Sequence, residues 1–276
     1  MIPRLARSVI LAWGWQRVTY AFLAGALGAL AMPPFGLFIA LAVSFPVLIW
    51  LIDGASAAGG RWATLFAAMK TGWWFGFGYH LAGLWWIGSA FLVEADRFAW
   101  LLPFAVTALP AGLALFMALG VGLARLLWRP SAARIVSLAV GLTAAEFARS
   151  TLFTGFPWNL IGSALTQSLW IAQSAAFIGV QGLTFVAILI CSTPIVFADD
   201  EQTMARRIGL PLGSVLALIC LALVGGSRLS STETRFVPGV KLRLVQPDIP
   251  QDEKFRPEAR DWILDRYASL SDKAAS

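Results

Sequence analysis

Residues 142–165 read LTAAEFARSTLFTGFPWNLIGSAL, an apolar helical run that carries Glu146 and Arg149 and then breaks. A spacing of three puts these two charges on one helical face, close enough to pair. At membrane depth such groups are costly and usually paired or functional; near an interface the same pair merely anchors its helix. The residues alone leave both readings open. Beyond the pair, Gly155 and Pro157 interrupt the helix, Phe153, Phe156 and Trp158 keep the interruption apolar, and Asn159 supplies one polar group. A loop of this composition suits a segment that dips into a membrane interface with its aromatic rings at headgroup depth.

Composition extends that reading to the chain. Of 276 residues, 58% are hydrophobic and 13% charged, which excludes most soluble domains. The charges are unevenly divided, with 17 of them in the last 50 residues. A hydrophobic body, residues 1–226, is therefore followed by a polar tail, residues 227–276, and Gly225, Gly226 and Ser227 mark the change. The net charge of +6 does not indicate a nucleic-acid partner, because the arginines sit between apolar segments instead of forming one surface. Cys191 and Cys220 lie inside apolar runs without metal-ligand spacing and read as small core or lipid-facing side chains. No metal or cofactor is expected.

A spanning helix needs about 20 mainly apolar residues. The sequence offers seven candidates: about Leu11–Ala31, Leu37–Ile52, Trp62–Phe91, Phe98–Leu123, Ile135–Phe153, Leu169–Phe197 and Ile208–Val224. Turn residues separate them: Pro33-Pro34 with Gly36, Gly59-Gly60, Pro130, and Asp199-Asp200. One set of alternate loops holds Arg4, Arg7, Arg17, Arg61, Arg125, Arg129, Arg134, Arg206 and Arg207; the other holds Arg97 and little else before the tail. The positive-inside rule then places the amino terminus in the cytoplasm and the tail on the opposite side. Ala29-Leu30-Ala31 also fits a signal-peptide cleavage site, and cleavage there would leave the orientation of every later segment unchanged.

Two further features belong to the body. The stretch KTGWWFGFGYHLAGLWWIG, residues 70–88, combines glycines that permit close helix approach with tryptophans suited to interfaces. It contains His80, the single histidine, which reads as a packed core residue since no nucleophile stands beside it. Gln173 and Gln181 read as interhelical hydrogen-bonding groups.

The tail opens with KLRLVQPDIPQDEKF, residues 241–255, whose alternation over Lys241–Gln246 predicts a half-buried β-strand. Residues 257–272 follow as an amphipathic helix with Trp262, Ile263, Tyr267 and Leu270 as its apolar stripe.

Together these stretches resemble one family, the apolipoprotein N-acyltransferases of bacterial inner membranes. Glu146-x-x-Arg149 followed by Thr154-Gly155-Phe156-Pro157-Trp158 resembles the signature of its membrane domain, and LVQPDIPQDEKF, residues 244–255, resembles the opening of its nitrilase-like domain. GALGALAMPPFG, residues 25–36, and GWWFGFGYHLAGLWWI, residues 72–87, fall where similar stretches occur, so the resemblance runs from about residue 20 to the end. It implies a multi-pass α-helical membrane bundle, of about seven spanning helices here, followed by the first strand and helix of an αββα nitrilase-like (carbon-nitrogen hydrolase) domain. The activity implied is the last step of bacterial lipoprotein maturation. A fatty acyl chain passes from a phospholipid donor in the lipid bilayer to the α-amine of an apolipoprotein's diacylglyceryl-cysteine. The family's Cys holds that chain as a thioester, its Glu moves protons, and its Lys with backbone donors stabilises the oxyanion.

The resemblance marks Glu146, Arg149, Phe156, Pro157, Trp158, Asn159, Gln251 and Phe255 as candidate substrate-binding residues. Phe255 departs from the family's usual Trp; it keeps an aromatic ring for packing against an acyl chain and loses the indole hydrogen bond. Gln251 fits the family pattern, as a headgroup contact or as a cap of its own loop. No Cys follows Cys220 and the last Lys is Lys273, so no catalytic triad is expected within the chain, which reads as an inactive fragment lacking the rest of the catalytic domain. Hydrophobicity alone would equally suit a multi-pass transporter or a non-catalytic membrane scaffold. The first finds no support in an internal repeat or a line of buried acids and bases.

Overall fold

Each of the seven apolar stretches holds an α-helix in the computed structural model, which describes residues 2–56, 59–199, 203–233, 236–250, 253–254 and 256–272. The α-helices are α1 (Ile2–Ile10), α2 (Gly14–Ala29), α3 (Leu41–Asp53), α4 (Gly60–Leu84), α5 (Ala95–Phe98), α6 (Leu102–Leu126), α7 (Ala133–Thr151), α8 (Leu169–Ala172), α9 (Ala175–Ser192), α10 (Met204–Ser231) and α11 (Arg260–Asp272). They fall into two units: Met1–Trp85 with Val106–Thr232, and Trp86–Ala105 with Glu233–Ser276.

Among the described residues, three continuous helical stretches are long and apolar enough to cross a membrane: Ala95–Leu126, Ala175–Phe197 and Met204–Ser231. The others differ for identifiable reasons. Helix α2 has 16 residues and α3 has 13, fewer than the roughly 20 of an ordinary span, so either crosses only with its flanking turns or a locally thinned bilayer. Helices α4 and α7 interrupt their apolar sequence with Lys70 and His80, and with Arg134, Glu146 and Arg149.

The first unit is organised around α3. Its Leu41, Phe45, Leu48, Ile49, Leu51 and Ile52 are all buried, and α1, α2, α4, α7 and α9 pack around it. A helix apolar on every side has no face to offer water, so it is enclosed. Glycine sets the closest of these approaches. A Cβ added at Gly25 of α2 would lie 1.9 Å from the Phe75 carbonyl oxygen of α4, and one at Gly78 of α4 would lie 2.0 Å from that of Phe22. The two helices are in backbone contact at both points, which any side chain would prevent.

Helix α10 is apolar outside. Of its 28 residues only Gly225 is buried, while Leu212, Val215, Leu216, Ile219 and Leu223 stand about half exposed. Such a helix is stable when hydrocarbon surrounds it. It runs without interruption through Gly225 and Gly226 to Ser231. Gly225 marks a packing point, because a Cβ there would fall 1.7 Å from the Trp170 carbonyl oxygen.

In the second unit the expected helix after residue 257 is present, as a 3₁₀ turn at Pro257–Ala259 leading into α11. The strand expected at Lys241–Gln246 is absent, a correction to the sequence reading. Its alternating residues have no ladder partner among the described residues, and Leu242 and Leu244 are 88% and 97% exposed. Alternation specifies the faces of a strand, but only a second strand can pair its backbone. Arginine side chains secure this segment instead: Arg243 donates to the carbonyls of Leu270 and Ser271, and Arg266 donates to that of Pro247 at 3.0 Å.

Candidate functional site

Helix α7 ends where the chain can no longer stay helical. Phe153, Thr154 and Gly155 adopt left-handed φ values of 51°, 73° and 80°, and Asn159 adopts 51°. For non-glycine residues each such angle costs on the order of 1 kcal/mol or more, so the surroundings must hold the loop in place. Gly155 has no alternative, since a Cβ there would meet the Ser150 carbonyl oxygen at 2.2 Å.

The Glu146–Arg149 pair does the holding. Both residues are 1% exposed, and Nη2 of Arg149 lies 3.6 Å from Oε1 of Glu146. Arg149 Nη1 donates to the carbonyls of Phe156 at 2.7 Å and Trp158 at 2.8 Å, while the Phe156 N–H donates back to the Arg149 carbonyl at 2.8 Å. The Glu146 carboxylate accepts the Ile161 N–H at 2.9 and 3.1 Å and the Thr184 hydroxyl at 2.7 Å. Arginine thus clasps the middle of the loop and glutamate its far end. Burial makes the arrangement exacting, because neither charge can turn to water if its partner is removed.

Helix α4 grips the loop from the other side. Tyr79 donates its hydroxyl to the Asn159 carbonyl at 3.0 Å, and the Asn159 amide donates to the Gly83 carbonyl at 2.9 Å. What remains outward is apolar: Phe153 is 88% exposed, Trp158 is 52% exposed, and the Phe156 and Trp158 rings lie 5.3 Å apart between centroids. The loop presents an aromatic surface fastened from beneath by a buried ion pair. That surface can bind a hydrocarbon chain; beneath it, Arg149 Nη1 and the Glu146 carboxylate are committed to the loop backbone.

Six of the eight expected site residues, Glu146, Arg149, Phe156, Pro157, Trp158 and Asn159, therefore come together in one loop and its support. Gln251 and Phe255 lie outside the described residues. His80 is fully buried, with Nδ1 2.7 Å from the Gly76 carbonyl oxygen and its ring set edge-on to Tyr79.

Thr184 was not legible as a site residue. It stands in α9, 38 positions from Glu146, and its hydroxyl also accepts the Gly162 N–H at 2.9 Å. One hydroxyl thus joins the carboxylate to the loop exit. Thr184→Val keeps the shape and removes that junction, so it should lower stability by about 1–3 kcal/mol. Thermal unfolding in detergent, read with hydrogen exchange at Ile161 and Gly162, checks this; unchanged exchange at both amides would rule the junction out.

Residues 24–193 match the family described as the apolipoprotein N-acyltransferase N-terminal domain. The apolipoprotein N-acyltransferase of Rhodopseudomonas palustris is 51% identical over 274 residues, covering 99% of this chain and 51% of the relative. Those of Bradyrhizobium diazoefficiens and Brucella suis are 48% and 46% identical, each over 99% of this chain and 51% and 52% of the relative. The chain spans about half the length of the curated relatives it matches. A buried Glu–Arg clasp beneath an aromatic loop lies inside the matched region, and the chain belongs to the apolipoprotein N-acyltransferase family through its N-terminal domain.

Proposed function

We propose that this chain is the membrane half of an enzyme that N-acylates the diacylglyceryl-cysteine of apolipoproteins from a phospholipid donor in the bacterial inner membrane. The observation that carries the reading is the loop at residues 152–161, an outward aromatic surface fastened by a buried ion pair within the family's matched region. Seven crossings, with a cytoplasmic amino terminus, put the carboxy-terminal end of α7 and its loop at the outer face. Phe156, Pro157 and Trp158 flank the acyl chain there, while Glu146, Arg149 and Asn159 fix their position. Gln251 and Phe255 are separate substrate contacts of the polar tail, for a headgroup and for an acyl chain. The Cys, Lys and Glu that carry out acyl transfer belong to a nitrilase-like catalytic domain outside these 276 residues.

The test expresses the gene with its downstream reading frame in a bacterium depleted of its own apolipoprotein N-acyltransferase. Mass spectrometry of a marker lipoprotein should show the added N-acyl chain, and a marker left unacylated would overturn the reading. In the same protein, Trp158→Ala removes apolar contact without touching the clasp. Thioester formation should slow about tenfold, equivalent to about 1.4 kcal/mol of lost contact. The melting temperature should not change; equal thioester yields from wild type and variant would dismiss the acyl-chain role.

A further inference from the structure

A concavity lies at the other end of the helices that carry the loop. It is a recess of about 790 Å³ where α3 and α6 end and α4 and α7 begin, and its walls include Asp53, Arg61, Thr64, Arg125, Trp128 and Arg134. Along α7, Arg134 and the Glu146–Arg149 pair are separated by about 20 Å of helix. The recess therefore cannot share a substrate headgroup with the aromatic loop.

Its charge balance is uneven, and the hydrogen bonds show how. Asp53 is engaged at both oxygens: Oδ1 accepts the Trp128 indole N–H at 2.9 Å and Oδ2 lies 3.6 Å from Arg134 Nη1. Asp199 bonds the other terminal nitrogen of Arg134. Both acids thus serve Arg134, which is only 8% exposed and forms part of the wall. Among the described residues, Arg61 and Arg125 have no carboxylate within 4.0 Å. Two further arginines from different helices, one at the start of α4 and one near the end of α6, line the same recess with Thr64; Arg61 also lies over the Trp62 ring at 5.6 Å, and Arg125 feels the charge of Asp53.

The positive-inside rule accounts for arginines on this side of the bundle. It does not account for arginines of three helices meeting at one recess, two of them with no carboxylate at ion-pair distance among the described residues. Guanidinium forks match the geometry of phosphate oxygens and bind them with paired, charge-assisted hydrogen bonds. We propose that this recess binds a phosphate group, carried by a lipid headgroup or free in solution. The site is distinct from acyl transfer and does not depend on it.

The test uses the 276-residue chain purified in detergent, with binding followed by thermal stabilisation and by native mass spectrometry. Probes are phosphatidylglycerol against phosphatidylcholine, and inorganic phosphate against chloride at equal ionic strength. The variants are Arg61→Gln with Arg125→Gln, and, as a control of equal charge change, Arg4→Gln with Arg7→Gln in α1. At least one phosphate probe should bind the wild type and the control alike and bind the recess variant about tenfold more weakly. Stabilisation by phosphatidylglycerol alone assigns the lipid source, and stabilisation by inorganic phosphate as well assigns free phosphate. If neither probe stabilises the wild type, or the recess variant responds as the wild type does, the proposal is overturned. Should the Gln variant fail to fold, Arg61→Lys with Arg125→Lys keeps the charge and removes the fork. It should weaken binding several-fold, and unchanged binding would again overturn the proposal.

Discussion

Arg149→Met should destabilise the helix bundle by about 3–5 kcal/mol, the usual consequence of removing one member of a buried ion pair. The substitution strands the Glu146 carboxylate, 1% exposed, with only the Ile161 N–H and the Thr184 hydroxyl to satisfy it. It also takes the donor away from the carbonyls of Phe156 and Trp158. The left-handed turns at Phe153, Thr154 and Asn159 then lose the clasp that holds them, so the loop should open before the helices separate. Limited proteolysis at residues 152–160 should accelerate, and the unfolding midpoint in detergent should fall. Pairing Arg149→Met with Glu146→Leu removes both charges and should recover part of the loss, because the uncompensated carboxylate is gone. A loss under about 1 kcal/mol for the single variant, typical of an exposed pair, would refute the buried clasp.

Gly25→Leu should cost about 3 kcal/mol or more, at the upper end for overpacking, since the obstacle is backbone and cannot rotate aside. Even the first carbon of the new side chain would lie 1.9 Å from the Phe75 carbonyl oxygen. Helices α2 and α4 would have to move apart, and Gly78 against Phe22 would lose its contact with them. Gly78→Leu should do the same from the other helix, and the two losses should fall short of adding because they break one interface. Gly209→Ala provides the contrast. Gly209 lies in α10 with no atom within 4 Å of its added Cβ, so alanine there should be neutral or stabilising by up to about 1 kcal/mol. Unfolding midpoints in one detergent compare the three variants. A Gly25→Leu protein as stable as Gly209→Ala would mean that α2 and α4 do not meet at this point.

These two predictions differ in how far the sequence prepares for them. Glu146 and Arg149 declare their pairing through a local spacing of three on one helix, so the pair is legible without a fold. Its task is not. That task depends on Ile161 and Thr184, placed by the loop and by α9, and no periodicity links residue 184 to residue 146. The glycines of α2 and α4 signal close helix approach, whereas the partner backbone, Phe75 for Gly25 and Phe22 for Gly78, emerges only on packing. The strand reading at Lys241–Gln246 went wrong for the complementary reason. Alternation is a property of one segment, pairing belongs to two, and among the described residues the second is missing.

What the amino-acid order determined by itself is therefore everything local: seven apolar stretches that hold helices, a broken helix at Gly155 and Pro157, an i,i+3 ion pair, and a polar tail that contains a helix. Tertiary structure alone decided that α3 would be enclosed, that the ion pair would fasten a loop, and that Arg134 would hold two acids at ion-pair distance while Arg61 and Arg125 line the same recess. The division is physical. Helix propensity and hydrophobic pattern act over a few residues, while burial, charge compensation and close backbone approach arise between groups that only the folded chain brings together.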